Sequence, residues 1–414
     1  MKSWIEISES RLRSNVSAIR AAAGEGANVL AVIKADGYGH GAELLAPVLV
    51  DAGVTWLGVA DAEEGAQIRR ALGQHDRTRA STRHSPGPPH DVRILVMCGI
   101  EPGDADRIVE KRLTPVVWTP GHVQALEAAA ERARRRVAVH LEIDTGMARQ
   151  GAVPESDGEP ALERVVDALH RSKWLRMEGV FSHLSSSEVR HGHKTAAQLE
   201  RLQRAFDLLK TEDGEVLLPE WIHVANSSAL DEGSTTEWIH HIGAAMRAGV
   251  LVRPGLALYG YCLGLENENG GLLRPVTAPG GLCPQLQPVL TWKTHILATR
   301  EIAPGQTVGY GATFIAERPM RLALLPVGYA DGFRREASSS IGNGWVMVAG
   351  KRAAVVGRVS MNLTVVDVTE IAQASEGGEV TLLGEGVTAE DHARWCETIS
   401  YEILCGIRAE RRLV

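Results

Sequence analysis

Short apolar runs alternate with amphipathic stretches from residue 9 to about residue 260. Such runs are typical of strands buried in a parallel sheet, and they cover residues 29–34, 56–60, 93–98, 113–118, 137–144, 177–184, 221–226 and 251–260. The stretches before and between them have a helical period, at residues 9–23, 62–72, 121–134, 162–171 and 197–210. Eight such units in about 250 residues fit a closed barrel better than an open sheet. The pattern predicts an α/β fold with a (β/α)8 TIM-like barrel over residues 9–262.

The pattern changes near residue 263. Residues 263–284 are rich in Gly and Pro and have no helical period, and short strands joined by turns follow them. These strands are predicted at residues 289–299, 321–327, 345–348, 353–356, 364–368 and 379–383. We expect a mainly β C-terminal domain over residues 285–414, with residues 1–8 as a candidate addition to it.

One segment of the barrel region has a different composition. Residues 74–91 are rich in Arg, Ser, Pro and His and are predicted to be a disordered insertion. Because the segment lies between a predicted helix and the next strand, a barrel would place it on the face away from the chemistry. The sequence does not determine its role.

Composition places the chain among ordinary globular proteins. Hydrophobic residues make up 44% of the 414 residues and charged residues 23%, and no apolar run is long enough to span a bilayer. The formal net charge of -7 offers no basic surface for nucleic acid. We expect neither a nucleic-acid partner nor a membrane.

The five cysteines are odd in number, widely spaced and contain no CxxC pair. This pattern predicts reduced thiols, and the amino terminus lacks the apolar core of a signal peptide. Together these observations predict a cytoplasmic protein. The pair His191 and His193 lacks a third placed ligand, as does the pair His240 and His241, so no metal site is predicted.

Polar residues stand at the carboxyl ends of the predicted strands, where barrel enzymes place their active sites. They are Lys34, Glu142, His183, His223, Asn226, Ser227 and Arg253, followed by Gly255. Lys34 directly follows an apolar run, and a buried amine can act as a nucleophile or a base; the alternative is a lysine whose amine reaches solvent. Ser227 and Gly255 follow the last two strands, where barrels commonly bind phosphate. A buried lysine beside a phosphate site indicates pyridoxal 5'-phosphate held as a Schiff base.

The motifs that carry these residues resemble those of alanine racemases of the type that joins a barrel to a β domain. The resemblance lies in VIKADGYGHG, EIDTGMARQG, HVANSS and RPGLALYG, and later in VGYGATF, PVGYADGF, GRVSMNLTVVDV and YEILCGI. It covers nearly the whole chain in the family's order. It implies that the protein interconverts L- and D-alanine with pyridoxal phosphate as cofactor. This reaction supplies D-alanine for peptidoglycan. The resemblance also implies a homodimer with shared active sites.

The resemblance implies two proton-transfer groups. One is Lys34, which also holds the cofactor, and the other is Tyr310 of the other subunit. Two groups are needed because racemisation removes a proton from one face of Cα and returns it at the other. Arg253, held in place by His223, is implied as the partner of the pyridine nitrogen. A guanidinium that stays charged keeps that nitrogen unprotonated, which disfavours transamination and decarboxylation.

Further roles are implied in both domains. The resemblance assigns cofactor contacts to Tyr38, His183, Asn226, Ser227, Gly255, Leu256 and Tyr401, and substrate contacts to Arg149 and the backbone of Met361. Tyr329 is expected to narrow the entrance, together with Tyr310, Ile399 and Tyr401, and so to favour alanine.

Two positions depart from the family's pattern. Glu142 stands where many members carry a lysine that carbon dioxide converts to a carbamate, and that carboxylate positions the arginine matching Arg149. We expect the Glu142 carboxylate to replace the carbamate. Asn362 stands where an aspartate is common after the methionine, and its effect on the access channel stays open.

Other functions remain as alternatives. Serine differs from alanine only by a hydroxyl, which pockets discriminate poorly, so a serine or broader-specificity racemase is one alternative. A decarboxylase on the same barrel would need an acid opposite the pyridine nitrogen, where Arg253 stands. A non-catalytic cofactor-binding barrel would leave the residues from Gln285 onward unexplained. The sequence does not set the strength of the dimer.

Overall fold

The computed structural model describes residues 2–82, 92–154, 161–209, 216–274 and 281–414. The chain forms two compact units. The first, here the β unit, comprises Met1–Arg11, Asp36–Leu44 and Pro288–Val414, and the second, here the barrel unit, comprises Leu12–Ala35 and Leu45–Gln287. The predicted domain boundaries at residues 262 and 285 stay a prediction.

Strands and helices are numbered in chain order. The strands are β1 (Ser3–Ile7), β2 (Ala27–Val32), β3 (Trp56–Val59), β4 (Arg93–Val96), β5 (Thr114–Val117), β6 (Val137–Glu142), β7 (Leu175–Phe181), β8 (Trp221–Asn226), β9 (Gly249–Arg253), β10 (Leu265–Glu266), β11 (Leu272–Arg274), β12 (Leu290–His295), β13 (Ala298–Ile302), β14 (Thr307–Val308), β15 (Phe314–Ile315), β16 (Met320–Leu325), β17 (Trp345–Val348), β18 (Lys351–Ala354), β19 (Thr364–Asp367), β20 (Glu379–Leu383) and β21 (Glu410–Leu413). The helices are α1 (Glu9–Ala23), α2 (Lys34–Tyr38), α3 (Ala42–Asp51), α4 (Ala62–Thr82), α5 (Asp104–Lys111), α6 (Pro120–Ala133), α7 (Leu162–Arg171), α8 (His193–Asp207), α9 (Ser227–Glu232), α10 (Ser234–Met246), α11 (Ala389–Trp395) and α12 (Ser400–Gly406). None of the described helices is long and apolar enough to cross a membrane.

The strands β2 to β9 close into a barrel, which confirms the predicted architecture. β2 pairs in parallel with β3 on one side and with β9 on the other, and this pairing closes the ring. Successive residues of the strands are buried, such as Leu30, Ala31, Val116 and Val117. Apolar residues on both faces are typical of parallel strands covered by helices. The carboxyl ends of all these strands therefore meet at one rim.

Several strand ends in the barrel were predicted wrongly, and two of them lie beside candidate site residues. The first barrel strand ends at Val32, and Lys34 already belongs to α2. The last strand was predicted over residues 251–260, but β9 ends at Arg253 and a 3₁₀ turn covers Leu256–Tyr259. Pro254 explains this end, because proline has no N–H to donate to a neighbouring strand.

The helix before the predicted insertion is longer than expected. α4 continues to Thr82, so the prediction of disorder was wrong for residues 74–82. These residues contain neither Gly nor Pro, and the first proline of the segment is Pro86. Residues 83–91, the remainder of the predicted insertion, lie outside the described part of the chain.

The β unit is built mostly from antiparallel strand pairs, which confirms a mainly β second domain. A six-stranded sheet has the order β18-β17-β20-β12-β1-β21, and a three-stranded sheet has the order β13-β16-β19. The amino-terminal strand β1 pairs antiparallel with β12 and parallel with β21. The single strand predicted over residues 289–299 is divided into β12 and β13, which lie in different sheets.

Two buried cysteines of the barrel unit are paired. Cys262 and Cys283 form a disulfide across a separation of 21 residues, so the prediction of reduced thiols was wrong for this pair. Cys98, Cys396 and Cys405 form no disulfide. The spacing of the cysteines along the chain could not reveal this pair, because contacts with residues distant in sequence hold Cys283 in position. The Asp231 carboxylate accepts hydrogen bonds from the N–H groups of Leu282 at 2.8 Å and of Cys283 at 3.0 Å.

Candidate active site

Lys34 begins a turn of unusual backbone conformation. The next four residues, 35–38, have φ between 52° and 64°, in the left-handed region. This conformation costs about 1–2 kcal/mol for each residue that carries a side chain, so other contacts must hold it. The Lys34 side chain is half-buried at the barrel rim, which lies between the two alternatives that the sequence left open, a buried amine and an amine that reaches solvent.

Contacts within the β unit hold the end of this turn. Arg411 donates to the carbonyl oxygen of Gly39 at 2.7 Å and pairs with Asp36 at 3.1 Å. The Asp36 carboxylate also accepts from the N–H of Ala42 at 2.8 Å. A Cβ at Gly39 would overlap the carbonyl oxygen of Leu404, so only glycine fits there. Arg411 was not predicted from the sequence, because a single basic residue in a terminal strand gives no sign of such a role.

Arg253 ends β9 as a buried cation. Its side chain is 2% exposed, and it donates to the carbonyl oxygens of His223 and Ser182, each at 2.8 Å. It also lies 2.8 Å from Nδ1 of His223. Burial lowers the pKa of Arg253 to about 10, which leaves it charged at neutral pH. The structure thus brings together the predicted pair of Arg253 and His223.

Two rings border this guanidinium. Phe181 stacks on His223 with the ring centroids 4.5 Å apart, and the guanidinium carbon of Arg253 lies 4.9 Å from the Phe181 centroid. Nδ1 of His183 lies 3.2 Å from Arg253. Burial lowers the pKa of His183 to about 3, and the charge of Arg253 acts in the same direction. His183 is therefore a neutral ring at physiological pH.

Ser227 joins the loops that follow the last two barrel strands. Its hydroxyl oxygen accepts from the N–H of Gly255 at 3.0 Å and of Ala257 at 3.1 Å. Leu256, between them, is buried, so its backbone rather than its side chain is suited to a ligand. These loops combine a hydroxyl with backbone N–H groups, the chemistry that phosphate sites use.

Asn226 has a structural role beside Ser227. Its side-chain oxygen accepts from the N–H of Ala229 at 3.0 Å, which caps α9, and from the hydroxyl of Ser187 at 2.9 Å. The predicted contact of Asn226 with a cofactor stays a prediction.

Glu142 is buried at the end of β6. Gln150 donates to its carboxylate and also to the carbonyl oxygen of Met97, the latter at 2.8 Å. Burial raises the pKa of Glu142 to about 7, against the lowering effects of Gln150, Arg253 and Arg149. The sequence analysis did not single out Gln150, although it directly follows Arg149 in the motif EIDTGMARQG. A direct contact between Glu142 and Arg149 stays a prediction.

A tight loop after β6 carries Arg149. The carboxylate of Asp144 accepts hydrogen bonds from the three successive N–H groups of residues 146–148, at 2.8 to 3.2 Å. Gly151 has φ 120°, and a Cβ there would lie 2.5 Å from the nitrogen of Asp144. The loop is therefore fixed at both ends, whereas the Arg149 side chain is exposed.

The remaining candidates belong to the β unit. Tyr38 is buried, and its ring centroid lies 5.7 Å from that of Tyr401. Tyr329 lies near Met361, because the N–H of Ala330 donates to the carbonyl oxygen of Met361 at 3.0 Å. The side chains of Tyr310 and Met361 are 71% and 56% exposed. This unit therefore presents Tyr310 and Met361 on its surface.

Comparison with known families covers nearly the whole chain. A model described as "Alanine racemase, N-terminal domain" matches residues 7–262, and one described as "Alanine racemase, C-terminal domain" matches residues 289–413. The chain is similar to an alanine racemase of Syntrophobacter fumaroxidans, with 34% identity over 415 residues, 99% of this chain and 96% of that protein.

Solved structures show the same fold. The alanine racemase from Streptomyces coelicolor A3(2) has 32% sequence identity and a TM-score of 0.78, over 100% of this chain and 98% of that chain. The alanine racemase from D-cycloserine producing Streptomyces lavendulae has 30% identity and a TM-score of 0.81, over 100% of this chain and 97% of that chain. The similarity extends over both units.

Proposed function

This chain belongs to the alanine racemase family and interconverts L- and D-alanine with pyridoxal phosphate, and from that premise we propose that Lys34 and Tyr310 of a second subunit are its proton-transfer groups. Inversion at Cα requires a proton to leave one face and another to arrive at the opposite face. The observation that carries the proposal is that Lys34 and the buried cation Arg253 lie at the carboxyl ends of two neighbouring barrel strands, β2 and β9.

The residues at the barrel rim fit pyridoxal phosphate. Lys34 supplies a primary amine, Ser227 and the Gly255 loop supply donors for a phosphate, and Arg253 supplies a cation for the pyridine nitrogen. The described partners of Arg253 are carbonyl oxygens and imidazole nitrogens rather than carboxylates. Burial of such a cation is costly, and a facing ring nitrogen would give it a further acceptor. When bound, the cofactor supplies the electron withdrawal that makes the α-proton of alanine removable.

Arg253 also accounts for reaction selectivity. Its guanidinium would donate a hydrogen bond to the pyridine nitrogen without transferring a proton to it, because it stays charged at neutral pH. Electron withdrawal is then weaker than with a protonated ring. This favours return of the proton to Cα over loss of the carboxylate or the amino group.

The other candidates have orienting roles in this proposal. Arg149 and the backbone of Met361 bind the substrate carboxylate, and Glu142, through the loop that carries Gln150, replaces the family's carbamate. Cofactor contacts come from Tyr38, His183, Asn226, Ser227, Gly255, Leu256 and Tyr401, and Tyr329 narrows the entrance.

We also propose a homodimer with shared active sites. Tyr310 is 71% exposed in the single chain, so the β unit that carries it does not shield it from water. Tyr329, Met361 and Ile399 are exposed in the same unit. Exposed apolar side chains of this kind are typical of protein interfaces, and a second copy would cover them.

Mixing two inactive variants tests the shared site. Lys34→Ala and Tyr310→Phe proteins are each expected to be nearly inactive. If the site takes Lys34 from one subunit and Tyr310 from the other, mixed dimers regain one intact site, and an equal mixture after subunit exchange reaches about a quarter of wild-type activity. No recovery, with exchange verified by mass spectrometry, would show that both groups act within one chain.

Substrate preference is tested by proton NMR in heavy water with chiral analysis of the products. Loss of the α-proton signal with equal D and L products is expected for alanine. Serine adds only a hydroxyl, so we expect a preference for alanine of about 10–100-fold in kcat/KM. A higher value for serine would assign the chain to the alternative class of serine racemases.

We place the reaction in the cytoplasm, where D-alanine for peptidoglycan precursors is used. The Cys262–Cys283 disulfide is unusual for that compartment, where thiols are normally reduced. Cell fractionation, with alkylation of free thiols before lysis, checks both points. An activity found outside the cytoplasmic fraction would contradict the placement.

A further inference from the structure

A column of buried polar side chains extends from Arg253 into the barrel interior. Nε2 of His223 lies 2.8 Å from Nδ1 of His140, and Nε2 of His140 lies 3.6 Å from Oε2 of Glu178. Both histidines and Glu178 are fully buried. We call Arg253, His223, His140 and Glu178 the polar column. The roles assigned above end at His223 and leave His140 and Glu178 unexplained.

The chemistry of Arg253 determines the donor at each link of the polar column. A guanidinium only donates, so Nδ1 of His223 is the acceptor and its proton is on Nε2. That N–H donates to Nδ1 of His140, whose own proton is therefore also on Nε2 and faces Glu178. If His223 carried its proton on Nδ1 instead, that N–H would face an N–H of Arg253, and neither group could accept. One direction therefore satisfies both links between Arg253 and His140. It also points the remaining N–H of His140 toward Oε2 of Glu178, which at 3.6 Å lies just beyond hydrogen-bond distance.

Two guanidinium groups hold Glu178 as the final acceptor. Arg93 contacts Oε1 of Glu178, and Arg176 lies 3.1 Å from the same oxygen, which leaves Oε2 to face His140. A buried carboxylate needs such pairing to remain charged. Burial lowers the pKa of both histidines, that of His140 to about 3, so the imidazoles are neutral at pH 7. Within the polar column, only the two end residues, Arg253 and Glu178, are thus charged.

The barrel strands are shaped around His140. The register of β6 and β7 shifts between Val139 and His140. Opposite the ring is Gly179, where a Cβ would lie 2.5 Å from Cε1 of His140. Trp56 packs on the imidazole with the centroids 5.2 Å apart. An apolar residue would fill this interior position without any need for hydrogen-bond partners, so a buried imidazole indicates a specific role.

We propose that His140 and Glu178 are positioning residues for the racemase: they hold His223 in the tautomer that accepts from Arg253, and so keep the guanidinium in one orientation. The inference rests on the proposed role of Arg253 opposite the pyridine nitrogen. When the polar column is broken, His223 can change tautomer and Arg253 loses an acceptor. The pyridine nitrogen then gains a proton more readily. The site then more often converts alanine and pyridoxal phosphate into pyruvate and pyridoxamine phosphate.

Four variants separate positioning from folding. Glu178→Gln keeps the size of the side chain, but its NH₂ group can face His140 and reverse the polar column. Glu220→Gln is the matched control, because the exposed Glu220 contacts the same Arg176 but faces no histidine. His140→Leu removes a link. His140→Gln retains an oxygen acceptor and an N–H donor and tests rescue.

The first readout is the tautomer of each histidine. It is measured by ¹⁵N NMR of histidine-labelled full-length protein, with and without pyridoxal phosphate, and the His140→Gln spectrum assigns the resonances. In the wild type and in Glu220→Gln, both histidines should be protonated at Nε2 at pH 7. In Glu178→Gln, at least one of the two histidines should shift toward the tautomer that is protonated at Nδ1. A wild-type His223 protonated at Nδ1, or unchanged tautomers in Glu178→Gln, would overturn the proposal.

The second readout is the ratio of side reaction to racemisation. Glu178→Gln and His140→Leu should lower kcat by about 10–100-fold, a range typical of supporting residues, with KM changed by no more than about threefold. Pyruvate formed per racemisation should rise by about tenfold or more, and His140→Gln should recover most of the lost kcat. If His140→Leu and His140→Gln lose kcat equally and form no additional pyruvate, His140 serves only to fill space in the barrel. If the wild type fails to racemise alanine, the proposed function fails, whereas the tautomers still test the polar column.

Discussion

The barrel unit and the β unit hold their candidate groups in opposite environments. In the barrel unit, Arg253 and His223 are buried, and the chain itself supplies their hydrogen-bond partners. In the β unit, Tyr310 and Met361 are exposed. Folding of the single chain therefore organises the groups proposed to hold the cofactor, whereas the environment of Tyr310, the proposed second proton-transfer group, depends on what covers it.

The largest effect on activity is expected at Lys34, whose side chain is neither fully buried, as that of Arg253 is, nor exposed, as that of Tyr310 is. Lys34→Ala should lower kcat/KM for alanine by more than about 10⁴-fold, because one amine both holds the cofactor and moves a proton. The melting temperature of the apoprotein should change little, since the side chain is half-buried. Chiral assays with and without added methylamine check this, and the external amine should restore part of the rate. A variant that keeps a tenth of the wild-type rate would exclude the role.

The second prediction tests the exposed side of the comparison. Tyr310→Phe should lower kcat by about 10²–10⁴-fold without a change in melting temperature, because it removes a proton-transfer group from an exposed side chain. Exchange of the α-proton in heavy water should become unequal for the two enantiomers, since only one face keeps its base. Ile315→Val, at another exposed side chain of the β unit, is the control. Equal loss of exchange for both enantiomers would contradict a face-specific role.

The third prediction tests the buried side. Arg253→Lys should lower both activity and stability, because an ammonium cannot reach both carbonyl oxygens and the Nδ1 of His223 at once. The free energy of unfolding should fall by about 2–4 kcal/mol, and pyruvate should accumulate during turnover. Urea unfolding of the apoprotein and a pyruvate assay check the two effects. An unchanged free energy of unfolding would show that the hydrogen bonds of Arg253 do not stabilise the barrel unit.

The smallest effect concerns the pH dependence of Glu142. Its pKa rises from 4.5 to about 7 on folding, so between these pH values the folded protein binds a proton that the unfolded chain has released. The contribution of this group to stability therefore decreases as pH rises from about 5 to 7. Glu142→Gln should gain up to about 3 kcal/mol relative to wild type between pH 5 and pH 8.

Urea unfolding of the apoproteins across that pH range measures this gain. Glu220→Gln, at an exposed carboxylate, should show no such trend. A difference between Glu142→Gln and wild type that is constant with pH would mean that the buried carboxyl group does not carry the proton in the folded protein.

Local patterns in the sequence were sufficient to predict much of the fold. The run at residues 221–226 coincides with β8, because a buried strand needs a continuous apolar run whatever packs against it. The backbone conformation of the turn after Lys34 was not predicted. Its left-handed backbone depends on Arg411, which lies 372 residues beyond Gly39, and no local pattern encodes such a contact.

The candidate site divides in the same way. The position of Lys34 after an apolar run suggested a nucleophile, and the resemblance to the family implied the roles of Arg253 and Tyr310. Gln150 was not predicted, because an amide becomes informative only when a buried carboxylate is known to face it.

By itself, the sequence determined the order of strands, the two-part architecture and the family, because hydrophobic period and short motifs are properties of neighbouring residues. Only the tertiary structure decided that His140 and Glu178 continue the contact between His223 and Arg253. His140 and His223 are 83 residues apart and lie on different strands. Which nitrogen of a histidine carries the proton depends on the atoms that face it, and those atoms are brought together only when the barrel closes.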